Sequence, residues 1–549
     1  MSTATKIYHA HKIITMNPAR PTASHVAVRD GRILGAGTLA ELTGWGSYEL
    51  DERFSDKVLM PGLVEGHSHL MAGSLWRHRY CGYFDVADHN GKIWPGSQSL
   101  NAVIDALISF NSSELSGSIS DVSSVVGWGF DPIYFGTARC NRSDLDRVST
   151  SQAVGVLHAS AHILNVNTEA LKQAGYWREG IDHPGIPLGT DGLPTGELKG
   201  PDAMGHVLEI VGLSRSFLSG DEIGIGAFGK LCVRAGVTTA TDLAAGLSDA
   251  DVAMLLKLTS DDDYPVRLVP LLRSIGMAPP AAIERALAVR TQSTDRLRLG
   301  AIKVVADGSI QGYSARIRWP GYVNGAPNGL WYTAPQTIQA IFDLALRSGI
   351  QVHTHTNGDE ATEMVLDCFS QAIKDNADQD HRFTLQHCQL ADAAQYRRMK
   401  ALGLCVNLFA NHHFYWGDEH YTVTVGPERA ERMNACRTAL ESGVPLAIHS
   451  DAPITPLAPL FTAWCAMFRK TASGRTLGEH ERIELHEALY AITLGAAYTL
   501  KLDGEIGSIE TGKRADFCVL NEDPFSIDAF KLKDISVWGT VQGGRVFAA

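Results

Sequence analysis

Short apolar runs alternate with longer amphipathic segments through the middle of the chain. The runs are bounded by glycine, proline or polar residues, as strands are, and the segments between them have helical spacing. One such segment covers 335–347, with Gly349 as its C-cap. Eight such alternations predict an α/β fold, a (β/α)₈ TIM-like barrel. The first predicted strand carries His67 and His69, and the others cover 236–242, 265–271, 297–307, 350–355, 383–387, 404–408 and 444–451.

Two further regions fall outside this alternation. Residues 72–235, between strands one and two, contain strand-like and helix-like runs of their own, such as 125–130 and 167–174. A loop of this length without structure is uncommon in a compact domain. We therefore predict a large α/β insertion, and because it leaves the C-terminal end of a strand, it should cover the active site.

Both ends of the chain are rich in short β-like runs separated by turns. This predicts a small β-sandwich built from residues 1–57 and 504–549, around a barrel of residues 58–503 that contains the insertion. Independent tails at each end are the alternative. In this reading the apolar run 57–60 is a strand that leads into the two histidines.

Composition narrows the class of protein. The 549 residues have a formal net charge of −12, with 45% hydrophobic and 20% charged residues, and the chain has a pI near 5.9. An acidic chain without a clustered basic face is not typical of nucleic-acid binders. We find no apolar run of about 18 residues and no leader pattern, so we expect a cytoplasmic protein with no membrane partner. Nine scattered cysteines, with no Cys-x-x-Cys pair, predict reduced thiols.

Polar residues with metal-binding chemistry stand at the ends of the predicted strands. Two histidines two residues apart face the same side of a strand and can reach one ion together, although ordinary core histidines are the alternative. Strand ends of a barrel meet around one axis, so distant residues converge there. Four imidazoles, a carboxylate and a lysine suit two hydrolytic divalent ions, with Zn²⁺ the best match. The predicted metal ligands are His67, His69, Lys303, His355, His387 and Asp451.

Another histidine competes with one of these ligands. His353 and His355 are also two residues apart, but only one of them need bind metal. We favour His355 because it directly precedes the loop-like residues 356–359.

Taken together, these motifs resemble the metal-dependent amidohydrolase superfamily, and within it the amidohydrolase family 3 branch that contains N-substituted formamide deformylase. The resemblance covers nearly the whole chain. It is more specific for the superfamily than for the substrate. The motifs that carry it lie at 61–69, 127–131, 302–309, 355–359, 387, 426–430, 450–453 and 512–516.

The resemblance implies a role for each ligand. His67 and His69 would bind one metal, His355 and His387 would bind the other, and Lys303 would be a carboxylated lysine that bridges both. Physical chemistry agrees, since an ammonium group beside two dications is repelled whereas a carbamate is an anionic ligand. Alternatively, Lys303 orients the substrate or packs on the aspartate four residues further on.

Three residues depart from the pattern of the branch. Gln386 stands where an acid is common, Asn357 replaces an apolar residue, and His449 replaces a glycine. The first two should lie beside the ligands and tune them. His449 should either contact the substrate or fill space.

The predicted function is hydrolysis of an amide-type C–N bond, other than a peptide bond, by metal-activated hydroxide with Asp451 as the catalytic base. Aromatic residues are dense in the insertion and in the loops after strands four and seven, and arginine is sparse there. This favours a small neutral N-substituted amide with an aromatic or apolar group. The predicted substrate-binding residues are Trp128, Phe130, His162, Arg316, Trp416 and His449.

Two other functions fit the same residues. One is a deaminase of an aminated heterocycle on the same barrel, and the other is a non-enzymatic barrel that only binds a ligand. A serine-nucleophile hydrolase is disfavoured because the chain has no Gly-x-Ser-x-Gly elbow. By resemblance, we also expect a homodimer that acts on a small-molecule substrate.

Overall fold

A computed structural model describes residues 4–116, 124–136, 138–213, 220–376 and 380–549. The chain forms two compact units. The barrel unit contains the chain up to residue 69 together with 229–452 and 457–549, and the insert unit contains 70–228 and 453–456. No helix among the described residues is long and apolar enough to cross a membrane.

Eight parallel strands of the barrel unit form one curled sheet in the order β8-β7-β6-β5-β4-β3-β2-β1. Each strand pairs in parallel with the next along the chain, which is the pattern of a TIM-like barrel and confirms that prediction. The strands are β1 Leu63–Glu65, β2 Val237–Ala245, β3 Arg267–Arg273, β4 Ile302–Val305, β5 Val352–Thr356, β6 Thr384–His387, β7 Cys405–Leu408 and β8 Leu446–Ile448.

The two edges of this sheet meet just beyond the ends of β1 and β8. The backbone N–H of Asp451 donates to the carbonyl of His67 (3.1 Å), and the N–H of His69 donates to the carbonyl of Ala452 (2.8 Å). Ser68 and Ala452 form an isolated parallel bridge at the same place. The barrel is therefore closed by the same short segments that carry the predicted ligands.

Amphipathic helices follow the barrel strands. In Pro335–Arg347 the proline occupies the first turn, and the apolar residues at helical spacing are buried, as the sequence predicts. The other α-helices of the barrel unit are Leu39–Leu42, Asp249–Ser260, Pro279–Arg290, Asp359–Ala372, Ala393–Ala401, His412–Glu419, Gly426–Arg432, Cys436–Glu441, Pro459–Phe468, Leu485–Ala491 and Leu494–Thr499.

A second sheet of the barrel unit takes its strands from both ends of the chain. The long strand Tyr48–Pro61 pairs antiparallel with Phe517–Leu520, and their inward residues share one apolar core. The seven strands form one continuous sheet, and the two-layer sandwich stays a prediction. In sheet order they are Arg545–Ala548, Val537–Gln542, Phe517–Leu520, Tyr48–Pro61, Thr5–Ile14, Thr22–Arg29 and Arg32–Gly37.

The apolar run 57–60 belongs to this second sheet and not to the barrel, so the prediction that it leads directly into the histidines is wrong. Its residues are paired with Phe517–Leu520. A run that is apolar at consecutive positions fits a buried strand of either sheet, so its pattern does not decide between them. The histidines still follow a barrel strand, namely β1.

The insert unit has its own sheet and core. Its apolar core includes Trp128, Leu164 and Val207. Five strands are ordered Glu197–Lys199, Ile163–Val166, Ala153–His158, Ser124–Phe130 and Arg79–Tyr80, and a separate hairpin pairs Val86–Ala87 with Ile93–Trp94. Around them lie the helices Met71–Ser74, Leu100–Ser116, Arg142–Asp146, Thr168–Gln173 and Gly200–Ile210, and helix Glu222–Ala235 leads on to β2.

Candidate metal centre

Histidines and one aspartate converge at the C-terminal ends of β1, β6 and β8. We call His67, His69, His387, His449 and Asp451 the metal cluster. Asp451 Oδ1 lies 3.3 Å from Nε2 of His67 and 3.1 Å from Nε2 of His69. Asp451 Oδ2 lies 3.8 Å from Nδ1 of His387. One carboxylate therefore faces three imidazoles that come from two other strand ends.

The backbone is unusual at two positions of the metal cluster. His387 and Asp451 have φ angles of +69° and +56°, in the left-handed region that side chains other than glycine rarely adopt. Such a conformation costs about 1–3 kcal/mol and persists where the surrounding structure enforces it, often at functional sites. Here both residues sit at the turn out of a strand, where hydrogen bonds to β5 and β1 hold the chain.

The amide of Gln386 fixes the orientation of two rings. Its Oε1 accepts from Nδ1 of His67 at 2.7 Å, and its Nε2 donates to Nδ1 of His353 at 2.8 Å. With a proton on Nδ1, His67 presents the lone pair of Nε2 towards Asp451. His353 instead uses a ring nitrogen to hold Gln386.

A buried carboxylate ties the two closing segments together. Glu65 accepts hydrogen bonds from the N–H of His67 (3.3 Å) and from both the N–H and the hydroxyl of Ser450 (3.2 and 2.8 Å). Burial raises the pKa of Glu65 to about 8, although its hydrogen bonds oppose the shift. This side chain therefore holds β1 and β8 in the alignment that brings His67 to Asp451.

Burial and local charge set the protonation of the cluster. Burial, together with nearby positive groups, holds the pKa values of His67 and His387 well below the usual range and lowers that of His449 to about 3. For His69, burial acts in the same direction, but the carboxylates of Asp242 and Asp451 raise the pKa to about 9. The centre thus offers neutral imidazoles at His67, His387 and His449, whereas the carboxylates favour the protonated form of His69.

Lys303 is the second residue of β4, and its side chain is buried. Its Nζ is buried and has no hydrogen-bond partner among the described residues. Burial lowers the pKa of Lys303 to about 7, against the opposing charge of Asp451. A large fraction of its amine is therefore neutral at physiological pH.

His355 lies next to the metal cluster. Its ring is perpendicular to that of His387, with centroids 4.5 Å apart. Its Nε2 is 3.2 Å from the amide nitrogen of Asn357 and 3.3 Å from the carbonyl of Gly308. Asn357 thus contacts a predicted ligand directly.

The metal cluster fits a divalent ion. Nitrogens or oxygens of His67, His69 and Asp451 lie within 4.8 Å of one another, and so do nitrogens of His67, His387 and His449. Imidazole and carboxylate are ligands that Zn²⁺ and similar ions prefer. The carboxylates of Asp242 and Asp451 beside His69 also add negative charge that favours a cation.

Comparison with known proteins agrees with this chemistry. The family model described as "Amidohydrolase family" matches residues 55–548. The chain belongs to the amidohydrolase family. This confirms the resemblance that the motifs predicted, and this amidohydrolase is a metal-dependent hydrolase.

Relatives of this amidohydrolase include the putative amidohydrolase YtcJ of Bacillus subtilis, 28% identical over 98% of each chain. The N-substituted formamide deformylase of Arthrobacter pascens is 32% identical over 37% of this chain and 38% of its own. An uncharacterised metal-dependent hydrolase from Pyrococcus horikoshii OT3 shares the fold, with a TM-score of 0.72 and 18% identity over 95% of this chain and 99% of its own.

The predicted substrate-binding residues of the insert unit lie within or beside its core. Trp128 packs against Trp76 and Tyr80 with ring centroids 5.0 Å apart in each case, and Phe130 stacks on Phe135 at 5.3 Å. His162 is half-buried, and its carbonyl accepts from the backbone of Gly200. Contact of these residues with substrate stays a prediction.

The predicted substrate-binding residues of the barrel unit differ in their surroundings. His449 belongs to the metal cluster. Trp416 is buried and stacks on His412 at 4.6 Å. Arg316 pairs with Glu360 at 2.7 Å, so its charge is already balanced by a carboxylate.

Sequence reasoning missed Glu65 and Asp242. Asp242 lies in β2 with Oδ1 3.6 Å from Nδ1 of His69. Alternation offered a signal for Glu65, because it precedes His67 by two residues and shares its face of the strand. For Asp242 the signal was its position near the end of a barrel strand, the same criterion that selected the ligands.

Proposed function

We propose that this amidohydrolase cleaves the C–N bond of a small, neutral N-substituted amide that carries an aromatic or apolar group. The observation that carries the proposal is the single carboxylate of Asp451 facing His67, His69 and His387. A carboxylate beside neutral imidazoles at a barrel mouth offers both ligands for hydrolytic metal ions and a base beside them.

Asp451 is the base in this proposal. Burial disfavours its charged form, but the hydrogen bond from His69 and nearby positive groups hold the pKa of Asp451 below its usual range, so it is ionised at neutral pH. Its carboxylate takes the proton of the attacking water and passes it to the leaving nitrogen. When bound, divalent ions lower the pKa of water towards 7 and polarise the amide carbonyl.

We further propose two Zn²⁺ ions and a carboxylated Lys303. The neutral amine that burial favours at Lys303 can add to carbon dioxide, forming an N–C bond and releasing a proton, which gives an anionic carbamate. Its buried Nζ has no partner among the described residues, which supports a further ligand there. His67 and His69 would hold one ion, and His387 with His355 the other.

Metal analysis with intact mass spectrometry of the native protein tests this ligand scheme. We expect about two equivalents of zinc per chain and a carboxylated lysine that is lost in acid. Less than one equivalent after gentle purification would contradict the two-metal scheme.

The charges near the strand ends support a neutral substrate. Arg316 pairs with Glu360, while Arg318 pairs with Glu363 (2.6 Å) and with Asp392 (2.9 Å). An anionic substrate would have to compete with these carboxylates. The partial similarity to a protein named N-substituted formamide deformylase also supports an amide with a small acyl group.

The substrate class is tested with a panel. Neutral aromatic formamides and other N-acyl aromatic amines are compared with N-acyl amino acids, cyclic ureides and aminated heterocycles, with carboxylate and ammonia release measured separately. We expect the neutral amides to have the highest kcat/KM. A preference of tenfold or more for the charged or ring substrates, about 1.4 kcal/mol in transition-state binding, would contradict the assignment, and ammonia release from heterocycles would indicate a deaminase.

Two further proposals concern the oligomeric state and the location of the protein. We propose a homodimer and a cytoplasmic location, both expected from the sequence. Light scattering coupled to size exclusion tests the first, and fractionation of the native cells tests the second.

A further inference from the structure

We propose that His449 is a metal ligand that binds the same ion as His387, beside the set formed by His67, His69 and Asp451. This inference rests on the proposed metal-dependent hydrolysis and adds one ligand to its site. It assigns a role to a buried histidine that the proposed function leaves without one.

The geometry brings three nitrogens together. One ring nitrogen from each of His67, His387 and His449 lies within 4.8 Å of the other two. The ring of His449 is 4.6 Å from that of His67 and 5.0 Å from that of His387, measured between centroids. Two imidazoles on one zinc ion have nitrogens at most about 4 Å apart, because each Zn–N bond is about 2.0–2.1 Å. Small side-chain rotations therefore suffice to complete this set.

His449 has ring nitrogens to offer. Its side chain is 1% exposed, and neither ring nitrogen has a hydrogen-bond partner among the described residues. Nδ1 of His387 is also buried and has no hydrogen-bond partner among the described residues. A buried polar atom left without a partner costs about 1–3 kcal/mol, and most such atoms in proteins are satisfied. A metal ion would satisfy one nitrogen on each ring at once.

Simple space filling does not explain a histidine here. The ring of His449 stacks between His67 and Phe409, at 4.6 and 5.0 Å. A phenylalanine would fill the same slot without bringing two polar nitrogens into a buried place. The chain therefore carries a cost at position 449 that only a ligand for those nitrogens removes.

His355 provides an internal contrast. Its Nε2 is already held near the amide of Asn357 and the carbonyl of Gly308. The same ring nitrogen also lies 3.6 Å from Asp307. The ring nitrogens of His449 have no hydrogen-bond partner among the described residues, so His449 is the better-prepared nitrogen donor beside His387.

The test compares His449→Phe with His412→Phe in the full chain. Phenylalanine keeps the stacking ring at 449 and removes only the nitrogens. His412 is a buried histidine whose ring lies 5.0 Å from that of Phe409, and it belongs to neither ligand set. Metal affinity is measured by competition with a chelator, and the ligand field is read from the visible spectrum of the Co²⁺-loaded protein.

We expect His449→Phe to bind Co²⁺ and Zn²⁺ at least about tenfold more weakly, since even the outer partners of metal ligands contribute about 10–100-fold. Its Co²⁺ spectrum should shift, while His412→Phe should keep the native affinity and spectrum. Native affinity and an unchanged spectrum in His449→Phe would overturn the proposal.

A second variant tests the proposal in case His449→Phe does not fold. His449→Gly leaves a cavity that free imidazole can enter. Return of the native Co²⁺ spectrum when imidazole is added supports the proposal. Two results would overturn it: a folded His449→Gly variant that already has the native spectrum without imidazole, or a folded variant whose spectrum does not respond to imidazole. A native protein that binds metal but cleaves no amide contradicts only the proposed function, because the affinity measurements above stand without any substrate.

Discussion

Two groups of buried imidazoles in the barrel unit differ in what surrounds them. The metal cluster places carboxylate oxygens against histidine nitrogens, with Asp242 3.6 Å from one nitrogen of His69 and Asp451 3.1 Å from the other. These carboxylates raise the pKa of His69 to about 9 against the effect of burial. This group is prepared for positive charge.

The second group, which we call the histidine stack, consists of His412, Trp416 and His420. The ring of His412 lies between the other two, with centroids 4.6 and 5.0 Å away. Hydrogen bonds of this group go to neutral side chains: Nε2 of His412 lies 3.3 Å from Oε1 of Gln311, and Nδ1 of His420 lies 2.7 Å from the hydroxyl of Thr424. Burial alone lowers the pKa of His420 to about 3.

Burial of a histidine is therefore not by itself evidence of a metal site. Burial by itself favours neutral imidazole in both groups, which metal binding requires but which also suits an apolar stack. The carboxylates of the metal cluster create an electrostatic field that favours a cation, and the neutral partners of the histidine stack do not. Four experiments test this contrast, in order of expected effect.

Removal of a ligand from the metal cluster should have the largest effect. We expect His67→Ala and His69→Ala each to lose metal, and with it activity, down to the level of the metal-free protein. Metal content and kcat/KM are measured on the same preparations. Native metal content in either variant would remove that histidine from the ligand set.

Asp451→Asn should separate the base from the ligands. We expect kcat to fall by about 10²–10⁴-fold, the contribution of a general base, while most of the metal stays bound. Steady-state kinetics with metal analysis provides the measurement. Near-native turnover would show that another group takes the proton.

Gln386 should matter through the tautomer of His67. Gln386→Leu removes the acceptor for Nδ1, so we expect metal affinity to fall by about 10–100-fold. Gln386→Glu keeps an acceptor and is the matched control, with an affinity close to native. Equal affinities for the two variants, measured by chelator competition, would exclude this role.

The histidine stack should affect stability and leave metal affinity unchanged. The folded pKa of His420, about 3, lies below the unfolded value near 6.5, so between these values the unfolded state binds more protons and stability falls as pH falls. The effect is about 1.4 kcal/mol per pH unit for one group. His420→Phe should therefore lose less melting temperature between pH 7 and 5 than the native protein.

This comparison is made with chelator present, so that the metal ligands contribute equally to both proteins. Substitution of the exposed His480 by phenylalanine is the control and should leave the pH dependence as it is in the native chain. A metal affinity reduced by His420→Phe would break the contrast between the two groups.

Much of the barrel could be predicted because its signals are local. The helix Pro335–Arg347 was bounded correctly by a proline, by apolar spacing and by a following glycine. The positions of His355 and His387 followed from strand ends in the same way. The run 57–60 was misplaced because consecutive apolar residues suit a buried strand of either sheet.

The hydrogen bonds that connect the ligands to one another could not be predicted. The amide of Gln386 joins His67 to His353, and no spacing rule links residues from three different strands. The same holds for Glu65, whose hydrogen bonds reach a serine 385 residues away. Such pairs depend on the register in which the barrel closes, and local sequence does not encode that register.

The closure of the barrel also sets when the metal site can exist. The hydrogen bonds that join its two edges are made by His67, His69, Asp451 and Ala452, and 382 residues separate His69 from Asp451. A ribosome that adds about 5–20 residues per second needs roughly 20–80 s to synthesise that interval. During this time the first histidines lack their carboxylate, so the native set of ligands can form only after Asp451 has been synthesised.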